Sequence, residues 1–567
     1  MKLNYKRTIF VGFAFFLIMA FWQAYDAIVP LMLVNKFGLN QTLSGAIMAL
    51  DNVLAVFMLP IFGALSDKCK SKYGKRTPYI VIGTVLAIVM FIGLSFADNA
   101  QLAQINSTQD PVQFQAQLFE EINTPIDNAE EKYDFSNAVA DEYTLKDYAS
   151  TIMYNKPFAE LNADEVSALG DWYKNIGYDD CYYYNSETHE YTLNPTDAEI
   201  KNLIKENLYT NLVSPAISAY AWQKTTANPV PLVFFILMLL AVLIAMAIFR
   251  SPAVALMPDV TIKPLRSQGN AVINLMGTFG AMLVLVLGMV FGTGKVQNQV
   301  NSFTLYIVAV CAIMAFGLAM FLVFVREPKW AKEMEEESAR LGIDTESDEA
   351  EEASNGELKS TDKGDDSGIL ELVKKDKPKF ISLILILASV ALWYTGYNAA
   401  SSKYSLYATN ILHKDYNTTL LLAQVAAVIA YIPAGMLAKK IGRKKSILSG
   451  IALLSAAFFA VSFFTAQTPM IFINIAFALG GIGWATINVN SFPMVVELAK
   501  GGNVGKYTGY YYTASMTAQI ITPILSGAVM DLFGGMSPLF YYCTIFIVLS
   551  FVTMLFVRHG DAVEVKK

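Results

Sequence analysis

Three charged residues inside stretches that are otherwise long and apolar are the coupling candidates: Asp26 in 8–34, Asp51 in 43–66 and Lys403 in 380–410. A charge at the centre of a membrane-crossing helix costs about 2.5–3.5 kcal/mol on insertion scales, so such a group ordinarily faces an aqueous path or a partner. A carboxyl in a low-dielectric cavity has its ionised form disfavoured and can hold a proton near neutral pH. Asp26, beside Tyr25, is the preferred proton-binding candidate. Asp51 is the second, with a structural acid capping polar groups on a neighbouring helix as the alternative. Lys403 is read as a third coupling candidate, as an ionic partner of Asp26, or as a side chain snorkelling to the outer interface. The same stretches carry aromatic rings, which cover the C–H faces of a sugar, and amides, which answer its hydroxyls. These are Trp22, Gln23, Tyr25, Asn274, Trp393, Tyr397, Asn398, Trp484, Asn488, Asn490 and Gln519. Each alone is more readily a packing or interhelical hydrogen-bonding residue; the set is the substrate-binding candidate.

The elements that must position these groups are twelve apolar runs, at 8–34, 43–66, 77–97, 230–256, 268–293, 303–325, 380–410, 417–438, 445–466, 469–495, 507–530 and 538–557. A helix of about 20 residues crosses the roughly 30 Å hydrocarbon core, so each run reads as a span. Of the 567 residues, 54% are hydrophobic and only 16% charged, which fits a chain solvated by lipid. The first run is too long for a signal-peptide core and is expected to be retained. Lys68, Lys70, Lys72, Lys75 and Arg76 crowd the loop after the second span, and Lys439, Lys440, Arg443, Lys444 and Lys445 the loop after the eighth. Positive loops resist translocation, so both termini are expected in the cytoplasm of a multi-pass protein of the plasma (cell inner) membrane. The expected divisions are helices 1–3 in 1–97, an external insert in 98–229, helices 4–6 in 230–325, a cytoplasmic linker in 326–378, helices 7–12 in 379–558 and a tail in 559–567. The insert holds 22 Asp and Glu against seven Lys and is expected outside, with short helices near Asn162 to Tyr173 and Thr196 to Leu208. The linker, rich in Glu, Asp, Ser and Lys, shows no chemistry of its own. Cys69, Cys181, Cys311 and Cys543 imply no structural disulfide, and His189, His413 and His559 all fall outside the runs. No metal cluster, nucleophile–base pair or nucleotide loop is apparent, so neither a metal cofactor nor an enzyme is expected, and no nucleic acid is an expected partner.

The chain repeats itself. Trp22-Gln-Ala-Tyr25-Asp26-Ala27 parallels Trp393-Tyr-Thr-Gly-Tyr397-Asn398-Ala399; Pro60 to Lys68 parallels Pro433 to Lys440; and Arg266-Ser-Gln-Gly269 parallels Lys506-Tyr-Thr-Gly509. Three matches in one order and in equivalent places argue for two related six-helix halves. The loop Gly63-Ala-Leu-Ser66-Asp67-Lys68-Cys69-Lys70-Ser71-Lys72-Tyr73-Gly74-Lys75-Arg76-Thr77-Pro78 resembles the loop signature of the major facilitator superfamily, and within it the sucrose:proton symporters and their animal relatives. Pro252-Ala-Val-Ala255-Leu256-Met-Pro258-Asp259, with Gly269-Asn270-Ala271 after it, is similar to a second stretch of those symporters. The resemblance runs over nearly all spans but not the insert, and extends to the glycoside-pentoside-hexuronide:cation symporter group.

That resemblance implies an all-α membrane protein, twelve helices in two pseudo-symmetric bundles, with spans one, four, seven and ten lining a central cavity. It implies a cytoplasmic gate built from Gly63, Asp67, Lys68, Gly74, Lys75 and Arg76, with Asp259 and Arg266, and with Gly435, Gly442 and Arg443 in the second half. A close helix approach at Gly63 and a state-specific pairing of Asp67 fit such a role, beside the part the cations play in fixing topology. Two departures stand out. The motif arginine of the sucrose carriers is Val254 here, and 231–249 contains no acid where those carriers bind a proton; the paired acids of the melibiose-type members are Ala55 and Leu59. The coupling ion is therefore expected to be H⁺, with Na⁺ as the alternative, at Asp26 or Asp51. The expected function is proton-coupled uptake of a sugar or glycoside by a monomer in the lipid bilayer. The rivals are a facilitator or exchanger of another small organic solute, with Lys403 as its positive site, and a membrane-anchored binding or sensing protein acting through the insert.

Overall fold

The computed structural model describes residues 3–106, 162–165, 182–185, 190–193, 214–262, 265–295, 301–341, 377–496, 498 and 504–559. Helices fill all twelve apolar runs. In the first half they are α1 (Tyr5–Leu31), prolonged by a π-helical turn Met32–Lys36, then α2 (Gln41–Met48), α3 (Leu50–Asp67) and α4 (Thr77–Asn106). After the insert come α5 (Ser214–Ala227), α6 (Val230–Asp259), α7 (Arg266–Phe291) and α8 (Thr304–Phe324). The linker opens with α9 (Glu327–Arg340). The second half consists of α10 (Lys377–Asn410), α11 (Tyr416–Ile441), α12 (Arg443–Val461), α13 (Met470–Val496), α14 (Val504–Leu532) and α15 (Leu539–Leu555).

Among the described residues ten helices are long and apolar enough to cross a membrane, α2 and α3 counting as one. The other two fall short for different reasons: α15 has 17 residues, and α14 has 29 but is diluted by Tyr, Thr, Ser and Gln in its first half. Side-chain oxygens start several helices by taking the free N–H groups of the first turn. Asn40 Oδ1 accepts from Leu43 N at 2.8 Å, and Asp415 Oδ1 from Asn417 N at 2.8 Å. Helix α7 ends at Gly292, whose φ of +64° suits a residue without a side chain.

Packing shows the repeat more clearly than the sequence does. In the first half α1 packs on α7 and α8, α6 on α4 and α3, and α8 on α4. In the second, α10 packs on α14 and α15, α13 on α12 and α11, and α15 on α12, the same pairs with every helix replaced by its counterpart. The contacts between halves, α2 with α14, α7 with α11 and α1 with α10, map onto themselves under that exchange. Small residues bring the helices close, as in membranes generally. A Cβ on Gly450 would lie 2.9 Å from the Gly483 carbonyl oxygen, and one on Gly483 2.8 Å from that of Gly450.

The insert differs in part from the expectation. Helix α4 runs on through the insert's first residues to Asn106, and Asp98 is buried on it. Its carboxylate accepts from Lys36 Nζ at 2.5 Å and from Phe303 N at 3.0 Å, and the Lys36 ammonium lies 3.8 Å from the Phe303 ring centroid. Within the insert Tyr182–Asn185 (β1) pairs antiparallel with Glu190–Leu193 (β2). A reciprocal capping box at Asn162 and Glu165, with N···O distances of 3.0 and 2.9 Å, starts a helix where one was expected. The second expected helix, Thr196 to Leu208, lies outside the described residues.

Candidate functional site

Residues 22, 25 and 26 share one face of α1 by helical spacing, from which Tyr25 meets α2 and Trp22 meets α6. The Tyr25 hydroxyl donates to the Met48 carbonyl at 3.4 Å, just before the break at Ala49 between α2 and α3. Asp51, in the first turn of α3, accepts from Asn52 N at 2.5 Å and from Asn52 Nδ2 at 2.7 Å. Asp26 lies within electrostatic reach of Asp51, and Asp51 within that of Arg250 on α6. The Arg250 guanidinium stands 5.5 Å from the Trp22 ring centroid. Asp26, Asp51 and Arg250 are each half-buried, and among the described residues Asp26 and Arg250 have no ion-pair partner within 4 Å. Two acids and one guanidinium thus share a desolvated region of one bundle. A single proton on either acid brings the cluster to zero net charge, which lowers the cost of burying it.

The second half faces this cluster with rings. Tyr397 and Trp484 stack with centroids 3.6 Å apart and planes at 3°, and Tyr394 meets Trp484 edge-on at 5.4 Å. Tyr397 is within electrostatic reach of Asp26, Tyr431 hydrogen-bonds Asn488, and the Ser491 and Tyr511 hydroxyls are 2.9 Å apart. Between the halves Gln424 Nε2 donates to Gln23 Oε1 at 2.6 Å. Three buried atoms here have no hydrogen-bond partner: Trp22 Nε1, Asn398 Nδ2 and Gln424 Oε1. Of the other expected binding residues, Trp393 is wholly buried in the core and Asn490 donates to the Thr486 carbonyl at 2.8 Å. Asn274 is exposed and donates to the Asn270 carbonyl at 2.8 Å, and Gln519 is half-buried on α14. Arg250, Tyr394, Gln424, Tyr431 and Tyr511 were not singled out from sequence. For Arg250 the signal was present, since it is an arginine inside the run 230–256.

Lys403 stands apart from this cluster. Its ammonium is buried and lies 3.3 Å from both the backbone oxygen and Oε1 of Gln41, within electrostatic reach of Asp531. Asp531, near the end of α14, accepts from Gln41 N at 2.9 Å, Thr42 N at 2.8 Å and Thr42 Oγ1 at 2.5 Å. These contacts belong to a seal between the halves at the end of the bundle that carries the insert. Asn410 Nδ2 donates to Asn35 Oδ1 at 3.1 Å, Asn417 Nδ2 to Thr293 Oγ1 at 3.2 Å, and the Thr293 and Tyr416 hydroxyls are 2.7 Å apart. Gly45 comes so close to the Pro523 carbonyl that any Cβ there would overlap it.

The opposite end, which carries the basic loops, is organised differently. Arg76 pairs with Asp67 at 2.5 Å and through Nε with Asp259 at 2.7 Å, and it also donates to the Ser66 hydroxyl. Burial opposes the guanidinium charge, but the Asp259 and Asp67 carboxylates outweigh it and raise its pKa. Ser66 Oγ donates to the Gly63 carbonyl at 2.8 Å. From α9, Glu327 accepts from Arg76 N and Thr77 N, each at 2.8 Å, while Gly74 holds φ +115° against that carboxylate. Lys68 and Lys75 are exposed, and Arg266 donates to the Pro258 and Thr261 carbonyls, each at 3.2 Å. In the second half Gly442, φ +88°, turns the chain between α11 and α12, Arg443 opens α12, and Gly435 is half-buried on α11.

The chain matches the family model described as the MFS_1 like family over residues 4–536. A membrane-associated transporter protein of Mus musculus is 32% identical over 79 residues, and the sucrose transport protein SUT1 of Oryza sativa subsp. japonica is 29% identical over 77. Each alignment spans only 14% of this chain and 14% of the relative. The inward-open structure of the xylose transporter XylE from E. coli superposes with a TM-score of 0.53, at 12% identity, over 99% of this chain and 97% of that one. At that identity the likeness is one of fold. A family match over almost the whole chain, with ten apolar helices among the described residues long enough to cross a membrane, makes this protein a multi-pass membrane protein of the MFS_1 like family, in the major facilitator superfamily.

Proposed function

We propose that this protein carries a sugar or similar hydroxyl-rich neutral solute together with a proton, by alternating access around the mid-bundle cluster. The observation that carries the reading is the juxtaposition of Asp26, Asp51 and Arg250 in one half with the Tyr397–Trp484 stack in the other. The rings offer apolar faces to C–H groups, and Trp22 Nε1, Asn398 Nδ2 and Gln424 Oε1 offer two donors and an acceptor to hydroxyls. Protonating Asp26 or Asp51 leaves Arg250 balanced by one carboxylate, so the loaded site can close around a neutral solute without an excess charge. With Lys403 engaged in the seal, Asp26 is the first coupling residue and Asp51 the second; Na⁺ is the alternative ion. With the positive loops retained in the cytoplasm the insert lies outside the plasma membrane, and on that reading the seal at the insert end corresponds to an inward-facing state.

The test is uptake of labelled mono- and disaccharides into proteoliposomes under an imposed pH gradient or sodium gradient, comparing wild type with Asp26→Asn. Uptake driven by the proton gradient and lost in the variant is expected; uptake that follows sodium alone would sink the proton assignment. Arg250 favours one rival, a facilitator of small organic anions in which the guanidinium grips a carboxylate. Preference for anions over neutral sugars, abolished in Arg250→Gln, would select it.

A further inference from the structure

We propose that Asp531, acting with Lys403, is a latch that holds the insert end shut and sets how often it opens. The proposal rests on the alternating-access reading but not on the identity of solute or ion. Helix α2 begins with three N–H groups that its own helix cannot satisfy. Asn40 in the same half takes that of Leu43, whereas those of Gln41 and Thr42 are taken by Asp531, from the other half. The Asp531 carboxylate therefore completes the cap of α2 from across the interface, where the positive end of the helix favours an anion. Its oxygens divide the work: Oδ1 serves Gln41, and Oδ2 serves both the backbone and the hydroxyl of Thr42.

Lys403 supplies the second half of the device. Lys403 is 3% exposed, and its ammonium is held by two oxygens of Gln41, the very residue that Asp531 caps. Asp531 is the charged group within its electrostatic reach. Lys403 and Asp531 both belong to the second half, so opening the insert end leaves them together and withdraws α2 from both. Close backbone approach makes the contact possible: a Cβ on Gly527 would overlap the Gln41 carbonyl, as one on Gly45 would overlap that of Pro523. In the open state water can solvate the freed carboxylate and N–H groups. The latch then adds only the net worth of its charge-assisted bonds, a quantity suited to adjusting a population.

The experiment measures the distance between spin labels on Leu305, in the first turn of α8, and Tyr541, in the first turn of α15, by double electron–electron resonance on the full chain in nanodiscs. Both sites are exposed at the insert end, one in each half. In Asp531→Ala the fraction at the longer distance is expected to rise about tenfold or more, the loss of one or more charge-assisted bonds. Asp531→Asn and Thr42→Ala should give smaller rises, so a graded series survives even if one variant folds poorly. Lys403→Gln should move the fraction the same way, and the Asp531→Ala/Lys403→Gln double variant should shift it less than the two singles combined, a coupling that unspecific loosening would not produce. A longer-distance fraction that stays at the wild-type value in all the Asp531 and Thr42 variants would overturn the latch. The distances are read without solute or gradient, so a failure of sugar uptake would bear on the proposed function alone.

Discussion

The two ends of the bundle differ in what joins the halves. At the insert end, beside the Lys36–Asp98 pair inside the first half, a set of polar contacts crosses between halves: Asp531 to α2, Lys403 to Gln41, Asn410 to Asn35, Asn417 to Thr293. At the basic-loop end the ion pairs Arg76–Asp67, Arg76–Asp259 and Arg7–Glu333 stay inside the first half, extended only by its linker helix. A contact that crosses halves must break in each alternating-access cycle, so it is best made of several modest bonds that water can replace. A contact within a half can be strong and permanent. The strong pairs at the basic-loop end therefore build the rigid body, and the weaker, dispersed bonds at the insert end decide where that body sits.

The sharpest way to break this contrast is to strike the permanent side. Arg76→Met leaves Asp67 and Asp259 facing each other without their cation, at a site where Arg76 is 3% exposed. Removing one partner from a fully buried ion pair costs about 3–5 kcal/mol; Asp67 and Asp259 are partly exposed, so the loss is smaller, but thermal unfolding in detergent should still fall clearly, with or without bound solute. A Tm equal to wild type would mean that this cluster is not structural. Next in size is Gly45→Leu, which puts a side chain into the Pro523 carbonyl. Overpacking of about 1–3 kcal/mol should fall on the sealed state alone, leaving Tm nearly unchanged while labels at the insert end move apart and uptake slows. Destabilisation without any change in those distances would put the seal among the permanent contacts. The smallest effect belongs to Asn410→Ala, which removes a neutral hydrogen bond to Asn35 worth about 0.5–1.5 kcal/mol. It should raise the open fraction by a few-fold, less than Asp531→Ala; an equal effect would mean that charge is irrelevant to the seal.

Most of the fold could be read because lipid imposes a simple rule: twelve apolar runs became helices, and three short sequence matches marked the halves. The site was harder. Asp26, Asp51, Tyr397 and Trp484 announced themselves as polar or aromatic residues in apolar runs, and the structure gathers them around one level of the bundle. Arg250 obeys the same rule, as a charge inside 230–256. Asp531 and Lys36 could not have been read at all. Each sits at a helix end, where a charge is unremarkable, and its meaning comes from a partner 490 or 62 residues away. Helices that are apolar all round give little periodicity to say which face meets which neighbour, so cross-helix pairing emerges only from packing. The same limit hid the partners of Asp98, which α4 carries into a buried position.

If solute and proton move together through the Asp26–Asp51–Arg250 cluster, sugar entering a vesicle brings protons with it. The direct measurement is the pH inside proteoliposomes, read by a trapped dye, when sugar is added outside with no imposed gradient. Internal acidification on sugar addition, absent in Asp26→Asn and reduced in Asp51→Asn, is the predicted result. Sugar entering the vesicles with no change in internal pH, equally in wild type and both variants, would contradict it.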